Sequence, residues 1–166
     1  MADFTVRISD EKDFDRLFEI WLDNQSQAIG KQPDPSTVEA LRAELSRLFF
    51  LTPRSVFYVA ELASKQIIGW QALLPLLTNP LVGRYTAQSS TYIDRKFFDK
   101  NVGSQLVEFA VADAKRLGID HIYGWVKADN IATNKIAENF ETHKFFIPHP
   151  ESKNLPDFNL YVIVVK

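Results

Sequence analysis

Most of the residues suited to chemistry lie between Thr86 and Thr133. Thr86-Ala87-Gln88-Ser89-Ser90-Thr91-Tyr92-Ile93 has the pattern of a strand. The charged run Asp94-Arg95-Lys96-Phe97-Phe98-Asp99-Lys100 leads from it through Asn101-Val102-Gly103-Ser104 into a helix. The first N–H groups of any helix have no intrahelical acceptor, and the helix dipole adds partial positive charge there. Asn101 is the best residue after glycine at positive φ. Without a ligand the same segment is a charged strand-to-helix turn. The candidate proton-transfer groups are Tyr92 on that strand, Tyr123 and His121 on the next apolar run, and Glu61. Each also has a structural use, since buried tyrosine rings fill cores with the hydroxyl satisfied. His143 and His149 suggest no role. The chain has no cysteine, which removes cysteine nucleophiles, disulfides and thiolate metal sites. Its three histidines are too scattered for zinc. It carries no G-x-x-x-x-G-K-[ST], G-x-S-x-G or H-E-x-x-H motif.

The elements that must position these residues follow from periodicity. Phe4, Val6 and Ile8 alternate with Thr5 and Arg7, which predicts a half-buried strand. Ser9 or Asp10 can cap a helix carrying Phe14, Leu17, Phe18, Trp21 and Leu22. Residues 24–35 are polar with one Gly and two Pro and predict a loop. Pro35-Ser36-Thr37 opens a second helix with Val38, Leu41, Leu45 and Leu48, ended by Thr52-Pro53. Val56–Leu62 and Ile67–Leu74 are strands joined at Ala63-Ser64-Lys65, and Thr86–Ile93 is the next. A helix follows with Val102, Leu106, Phe109, Ala110, Ala114 and Leu117 on its apolar face and Gly118 at its C-terminal end. A strand over Ile119–Val126, a helix over Asn130–Phe140 and short strands over Phe145–Ile147 and Leu160–Val165 complete the order β α α β β β α β α β β.

The bulk properties bound the function. At 166 residues the chain is expected to be one domain, 1–166, able to bury a core without metal or disulfide. Nineteen basic against 21 acidic residues leave a net charge of −2, which argues against a dedicated nucleic-acid binder. No apolar run approaches the ~20 residues of a membrane span, and the charged N-terminus has no signal core. A cytoplasmic protein is expected.

The order of elements, together with TAQSSTYI, RKFFDKNVGSQL and the Asn130 helix, resembles the GCN5-related N-acetyltransferase (GNAT) superfamily, most closely the branch with phosphinothricin acetyltransferase. The resemblance runs from about Phe4 to Phe146. It implies an α/β fold with a mixed, mostly antiparallel sheet, splayed after the central strand and flanked by helices. It also implies acetyl-CoA as co-substrate. In that family a loop of the form Gln/Arg-x-x-Gly-x-Gly/Ala holds the CoA pyrophosphate on backbone N–H groups. Its positions fall here on Phe98, Asn101 and Gly103, so Lys100, Asn101, Val102, Gly103 and Ser104 are the implied pyrophosphate contacts. The backbone of Tyr92 and Ile93 is implied to meet the pantetheine arm and the thioester. Asp99 adds a carboxylate worth about 3 kcal/mol of repulsion at ~6 Å and an effective dielectric of ~20, offset by Arg95, Lys96 and Lys100. Asn130 matches the family's pantetheine-contacting Asn. Its alternative use is a helix cap, with Asp129 competing. Thr133 and Asn134, one turn on, are placed to face the cofactor.

The resemblance also locates the usual proton-transfer groups, and this chain departs from both. The Glu that serves as base on the central strand is Gln88 here, and the Tyr or His acid of the later helix is Ala137. The Gly-aromatic ending of that helix is Glu141-Thr142. Two readings follow. In one, an N-acetyltransferase acts on the amine of a small, possibly amino-acid-like molecule, with Tyr92 or Tyr123 as substitute groups. In the other, the chain is a catalytically degenerate module that binds CoA or another ligand in a regulatory role. The acceptor pocket is expected from the first two helices, with Trp21, Asn24, Gln25, Gln27 and Phe57, plus Trp70 and Tyr85. Those amides suit a small or amino-acid-like amine better than a polyamine, which would want carboxylates. A homodimer is common in the branch, and Leu160, Val162 and Val164 are apolar enough to serve one or to fill the core.

Overall fold

The computed structural model describes residues 3–29, 33–76, 79, 81–98, 100–149 and 156–166, with backbone only at 27–29. Seven strands form one sheet: β1 (Phe4–Ile8), β2 (Val56–Leu62), β3 (Ile67–Pro75), β4 (Thr86–Ile93), β5 (His121–Lys127), β6 (Thr142–Ile147) and β7 (Phe158–Val164). Their spatial order is β1-β2-β3-β4-β5-β7-β6. All neighbours are antiparallel except β4 and β5, which are parallel. The helices are α1 (Phe14–Ile29), α2 (Pro35–Ser46), α3 (Val102–Arg116) and α4 (Ile131–Glu138). This is the expected order and the expected mixed sheet.

Alternation along the strands divides the interior into two layers. Tyr58, Ala60, Leu73, Ala87 and Ile122 face α3, where Val102, Leu106, Ala110 and Ala114 bury the opposite stripe. Phe57, Val59, Trp70 and Ala72 face the other way and pack on Phe14, Leu17 and Phe18 of α1 and Leu45 of α2. At one margin Arg7 bridges β1, β2 and the turn before α1. It donates to both carboxylate oxygens of Asp13, at 2.7 and 3.0 Å, and to Glu61 Oε2 at 2.5 and 3.1 Å. Glu61 also pairs with Lys65.

The ends of elements show which local signals prevailed. Asp10 rather than Ser9 caps the first turn, accepting from the Lys12 N–H and forming a capping box with Asp13. Asp34 caps α2 ahead of Pro35. Past Ser46 the chain continues as a wider π-helical turn, Arg47–Leu51, before Pro53 stops it. The expected loop over 24–35 is wrong for its first six residues, because α1 continues to Ile29. Polar composition suggested a break, but nothing before Gly30 disrupts a helix. Asn24 instead donates to Ile20 O at 2.8 Å and across to Ile93 O at 3.1 Å, pinning α1 to β4. Gly118 takes φ 70° just beyond α3, the left-handed conformation that ends a helix.

One irregularity positions the site. β4 stays paired with β3 through Gly69–Ile93, but its pairing with β5 stops at Ser89–Gly124. From Ser90 and Trp125 onward the two parallel strands part, leaving β4 with an unpaired edge toward β5.

Candidate active site

The parted strands open a cleft of about 760 Å³. Gln88–Tyr92 forms one wall and Gly124–Lys127 the other, with α1 at one rim and α3 and α4 behind. Alternation assigns the side chains. Gln88, Ser90, Tyr92, Trp125 and Lys127 share the α1 side with Asn24 and Gln25. Ser89, Gly124, Val126 and Tyr161 share the helix side with Val107, Ile136 and Ala137. The cleft runs on into a groove of about 790 Å³ between the β4–α3 turn and α4. Phe98, Asn130, Thr133 and Ile136 line both.

The groove ends at the start of α3. Arg95–Phe97 makes one 3-10 turn, capped by the Asp94 side chain on the Lys96 N–H. Asp94 is in turn tied to Arg16 of α1. Asn101 then adopts φ 61°, ψ 15°, the left-handed conformation expected of a residue standing in for glycine. Its side chain does not cap the helix, and the first N–H bonding back to Asn101 O is that of Gln105. The N–H groups of Val102, Gly103 and Ser104 therefore lie in the uncapped first turn. Gly103 has a spatial reason to be small, since a Cβ there would stand 3.2 Å from Ile136 Cδ1. Its smallness lets α3 approach α4 at the groove. Asp99 lies outside the described residues.

The expected site residues are mostly brought together. Tyr92 lines the cleft, and Ile93, Asn101, Val102, Gly103 and Ser104 line the groove. Val102 is buried. Lys100 is exposed on the turn but is not a lining residue. Asn130 caps α4 and also lines the cleft and the groove. Its side chain accepts from the Thr133 N–H at 3.1 Å, and Thr133 lines cleft and groove alike.

Several expectations are corrected. Tyr123 is paired with Gln88 and Val162 below the parting and is not a lining residue. His121 lies lower still, opposite Thr86. Glu61 belongs to the Arg7 cluster at the far margin of the sheet. Phe57 and Trp70 are core residues, and the Trp70 indole donates to Leu17 O at 3.0 Å. Tyr85 sits at the entry to β4, under the Arg84 guanidinium. Asn134 does not face the cleft. It is buried, and it ties α4 to β5 and β7. The Gln27 side chain lies outside the described residues.

Tyr92 is the ionisable hydroxyl at the centre of the α1-side wall. Its ring lies 4.7 Å from that of Trp70, centroid to centroid. Burial pushes its hydroxyl above the ordinary tyrosine value, and a hydrogen bond with Trp21 opposes the shift without cancelling it. Tyr92 thus keeps its proton through the neutral range and can donate it, but cannot serve as a base. Gln88 cannot accept a proton, and no carboxylate lines the cleft among the described residues, whereas Arg95 and Lys127 do.

Sequence reasoning missed the polar framework behind the cleft. Asn134 Oδ1 accepts from Tyr161 Oη at 2.7 Å and from Asn159 Nδ2 at 2.8 Å, and Asn134 Nδ2 donates to Asn130 O at 2.7 Å. Buried Gln71 donates to Ser89 Oγ at 2.7 Å and accepts from Thr91 Oγ1, bracing β4 where it leaves β5. No sequence motif announces either group. The only available sign was a polar side chain at an inward position of a strand or helix.

The geometry is that of an acyl-CoA-dependent transferase fold, and comparison with known proteins agrees. The profile of the Acetyltransferase (GNAT) family matches residues 14–140, and the chain belongs to that family. It is similar to YwnH of Bacillus subtilis, a protein provisionally named a phosphinothricin acetyltransferase, at 27% identity over 142 residues, covering 85% of this chain and 83% of that protein. Among solved structures, a protein provisionally named a phosphinothricin N-acetyltransferase superposes with a TM-score of 0.77 at 20% identity, covering 99% of each chain. YncA of Salmonella typhimurium, provisionally named an acetyltransferase and solved with its cofactor acetyl-CoA, superposes with a TM-score of 0.76 at 15% identity. That match covers 99% of this chain and 95% of the other. At those identities the structural likeness shows the fold. Members of the family use acetyl-CoA as co-substrate. Among the described residues no helix is long and apolar enough to cross a membrane, and no cluster of His, Asp or Glu could hold a metal.

Proposed function

We propose that this chain transfers the acetyl group of acetyl-CoA to the amine of a small, amino-acid-like acceptor within one ternary complex. The observation that carries this reading is the parting of β4 from β5 beyond Ser89–Gly124, in a cleft that leads to the uncapped start of α3. The residues present fit acetyl-CoA. The first-turn N–H groups of α3, opened by left-handed Asn101, suit the pyrophosphate. The edge of β4 over 90–93, where Asn24 holds the Ile93 carbonyl, offers its remaining backbone groups to the two amides of an extended pantetheine arm, with Asn130 and Thr133 opposite. Bound acetyl-CoA supplies an acyl carbon already activated as a thioester.

The protein side of the reaction follows from the cleft. A backbone N–H on the free edge of β4 can polarise the thioester carbonyl. Tyr92, holding its proton, is the donor to the leaving sulfur. With Gln88 in place of a base, the acceptor must arrive as the neutral amine, and proximity supplies much of the remaining rate. The α1-side mouth carries the amides of Asn24, Gln25 and Gln88 with Arg95 and Lys127, and no carboxylate among the described residues. That charge pattern suits an acceptor bearing its own anionic group and disfavours a polyamine. The reading includes a homodimer through the face on which Trp125, Leu160 and Phe145 lie in one row across β5, β7 and β6. Trp125 and Phe145 are about half exposed there. Sedimentation at micromolar concentration tests that part.

The deciding experiment is thiol release from acetyl-CoA over a panel of amines, with acetyl-CoA-dependent melting alongside. Saturation at ~100 times Kd adds about 2.7 kcal/mol and should raise Tm by about 5–10 °C in a chain of this size. Gly103→Asp puts a carboxylate at the anion site and should abolish both signals. No rise in Tm at millimolar acetyl-CoA overturns the reading. Binding without turnover of any amine leaves a ligand-binding module.

A further inference from the structure

The helix side of the cleft contains a space apart from the α1 side and from the groove between the β4–α3 turn and α4. Its margin is Gly124, the last β5 residue still paired with β4. Glycine weakens a strand and in such a position marks close approach by a ligand or by backbone. Gly124 has no conformational need to be glycine, because Gly118 is the positive-φ glycine of the described chain. No backbone crowds it either, since a Cβ built there meets nothing within 4 Å. Its direct cross-strand partner, Tyr161, is held toward α4 by Asn134 and does not fill the gap. Opposite lies Ala137, at the position where the resembled family carries a Tyr or His. Val107, Ile136 and Ile163 supply the remaining wall. The wall given by Val107, Ile136, Ala137 and Ile163 is thus apolar and lies at the apex where the strands part. The hydroxyls at its edge are engaged, since Ser89 Oγ accepts from Gln71, Thr91 Oγ1 donates to Gln71 Oε1 and Tyr161 Oη donates to Asn134 Oδ1.

We propose that this recess is an acyl pocket, and that the chain transfers unbranched acyl groups longer than acetyl, namely propionyl and butyryl, with Gly124 and Ala137 setting the length. The inference rests on the acetyl-CoA reading above and extends it. The acceptor reaches the thioester carbon from the α1 side, so the tail of the acyl group turns to the other side, where the lining is apolar. The chemistry is unchanged by chain length. The amine nitrogen bonds to the acyl carbon, the carbon–sulfur bond breaks with its electron pair going to sulfur, and the proton lost by nitrogen balances the one gained by sulfur. Each methylene seated in the recess should improve binding about fourfold, the equivalent of about 0.8 kcal/mol.

The test compares acetyl-, propionyl- and butyryl-CoA by equilibrium binding and by thiol release with one acceptor. It uses the wild-type chain and the variants Gly124→Ala and Gly124→Val. Valine is a favoured strand residue and φ is ordinary here, so both variants should fold, which melting checks. The wild type should bind butyryl-CoA about fifteenfold more tightly than acetyl-CoA, from two such methylenes, and turn it over at least equally well. Gly124→Val should remove that preference, weakening butyryl-CoA at least tenfold more than acetyl-CoA, with Gly124→Ala intermediate. Wild type that binds acetyl-CoA but binds or turns over butyryl-CoA tenfold less well overturns the acyl pocket alone. An equal loss for all three thioesters in Gly124→Val overturns it too. Failure of every CoA thioester to bind the wild type overturns the acetyl-CoA reading and the pocket with it.

Discussion

Replacing Asn134 with leucine should destabilise the protein and weaken acetyl-CoA binding through the same hydrogen bonds. The amide is 8% exposed and bonds on both sides. Its Nδ2 reaches Asn130 O at 2.7 Å, Lys127 O at 3.1 Å and Ala128 O at 3.4 Å. Two of those carbonyls keep another donor, because the Asn134 N–H bonds Asn130 O and the Asn130 N–H bonds Lys127 O. Tyr161 keeps Glu138 Oε1 at 3.3 Å. Asn159 Nδ2 loses the acceptor it holds at 2.8 Å in a buried position. A buried donor without a partner costs about 1–3 kcal/mol, and the weakened tyrosine and carbonyl bonds add about 1 kcal/mol more. A loss of about 3 kcal/mol follows, or roughly 6–12 °C in Tm. The same change loosens the 128–130 turn that carries the α4 cap, so acetyl-CoA affinity should fall several-fold. Equilibrium urea unfolding and acetyl-CoA titration measure the two effects. The double variant Asn134→Leu/Asn159→Leu should recover 1 kcal/mol or more relative to the sum of the singles, because neither partner is then stranded. Stability within about 0.5 kcal/mol of wild type, or strict additivity in the cycle, would refute the reasoning.

Three further outcomes are expected. Tyr92→Phe should lower kcat at least tenfold while acetyl-CoA binding and Tm stay near wild type, and an unchanged kcat removes Tyr92 as proton donor. Gln88→Glu should restore a base facing the acceptor, raising the rate at pH 7 about tenfold or more and moving the acid limb of the pH–rate profile down. An unaltered profile would mean that residue 88 does not face the reacting amine. Acid stability should reflect the Arg7 cluster. Burial opposes the charge on Asp13, but hydrogen bonds from Arg7 and the Asp10 N–H outweigh it and hold its carboxyl below the usual value. Glu61 is held low by Arg7 and then Lys65. Because both native pKa values are depressed, their contribution is full above about pH 5 and fades as pH falls through the unfolded value near 4 and below. Urea unfolding between pH 6 and 3 should therefore show a shallower loss of stability in Arg7→Met than in wild type.

Much of the fold was legible because its signals are local. Asp34-Pro35, Gly118 and the spacing of Val102, Leu106 and Ala110 each act within a turn or two of helix, and the strand alternation of Phe4–Ile8 depends on one buried face. The turn into α3 was legible for the same reason, since left-handed backbone at Asn101 follows from residue type and neighbours. The helical continuation of 24–29 was not, because Asn24 is held by Ile93, 69 residues away in sequence. β7 was half legible. Both its faces are apolar, so only pairing with β5 decides that Asn159, Tyr161 and Ile163 turn inward.

The sequence by itself determined most of the elements and their order, because residue type and spacing carry that information. Tertiary structure alone decided that β4 leaves β5 after Ser89, that Tyr92 and not Tyr123 lines the cleft, and that Asn134 is bonded into the framework behind it. Those outcomes depend on which strands and helices pack together, and side-chain direction at a parting in a sheet is set by partners distant along the chain.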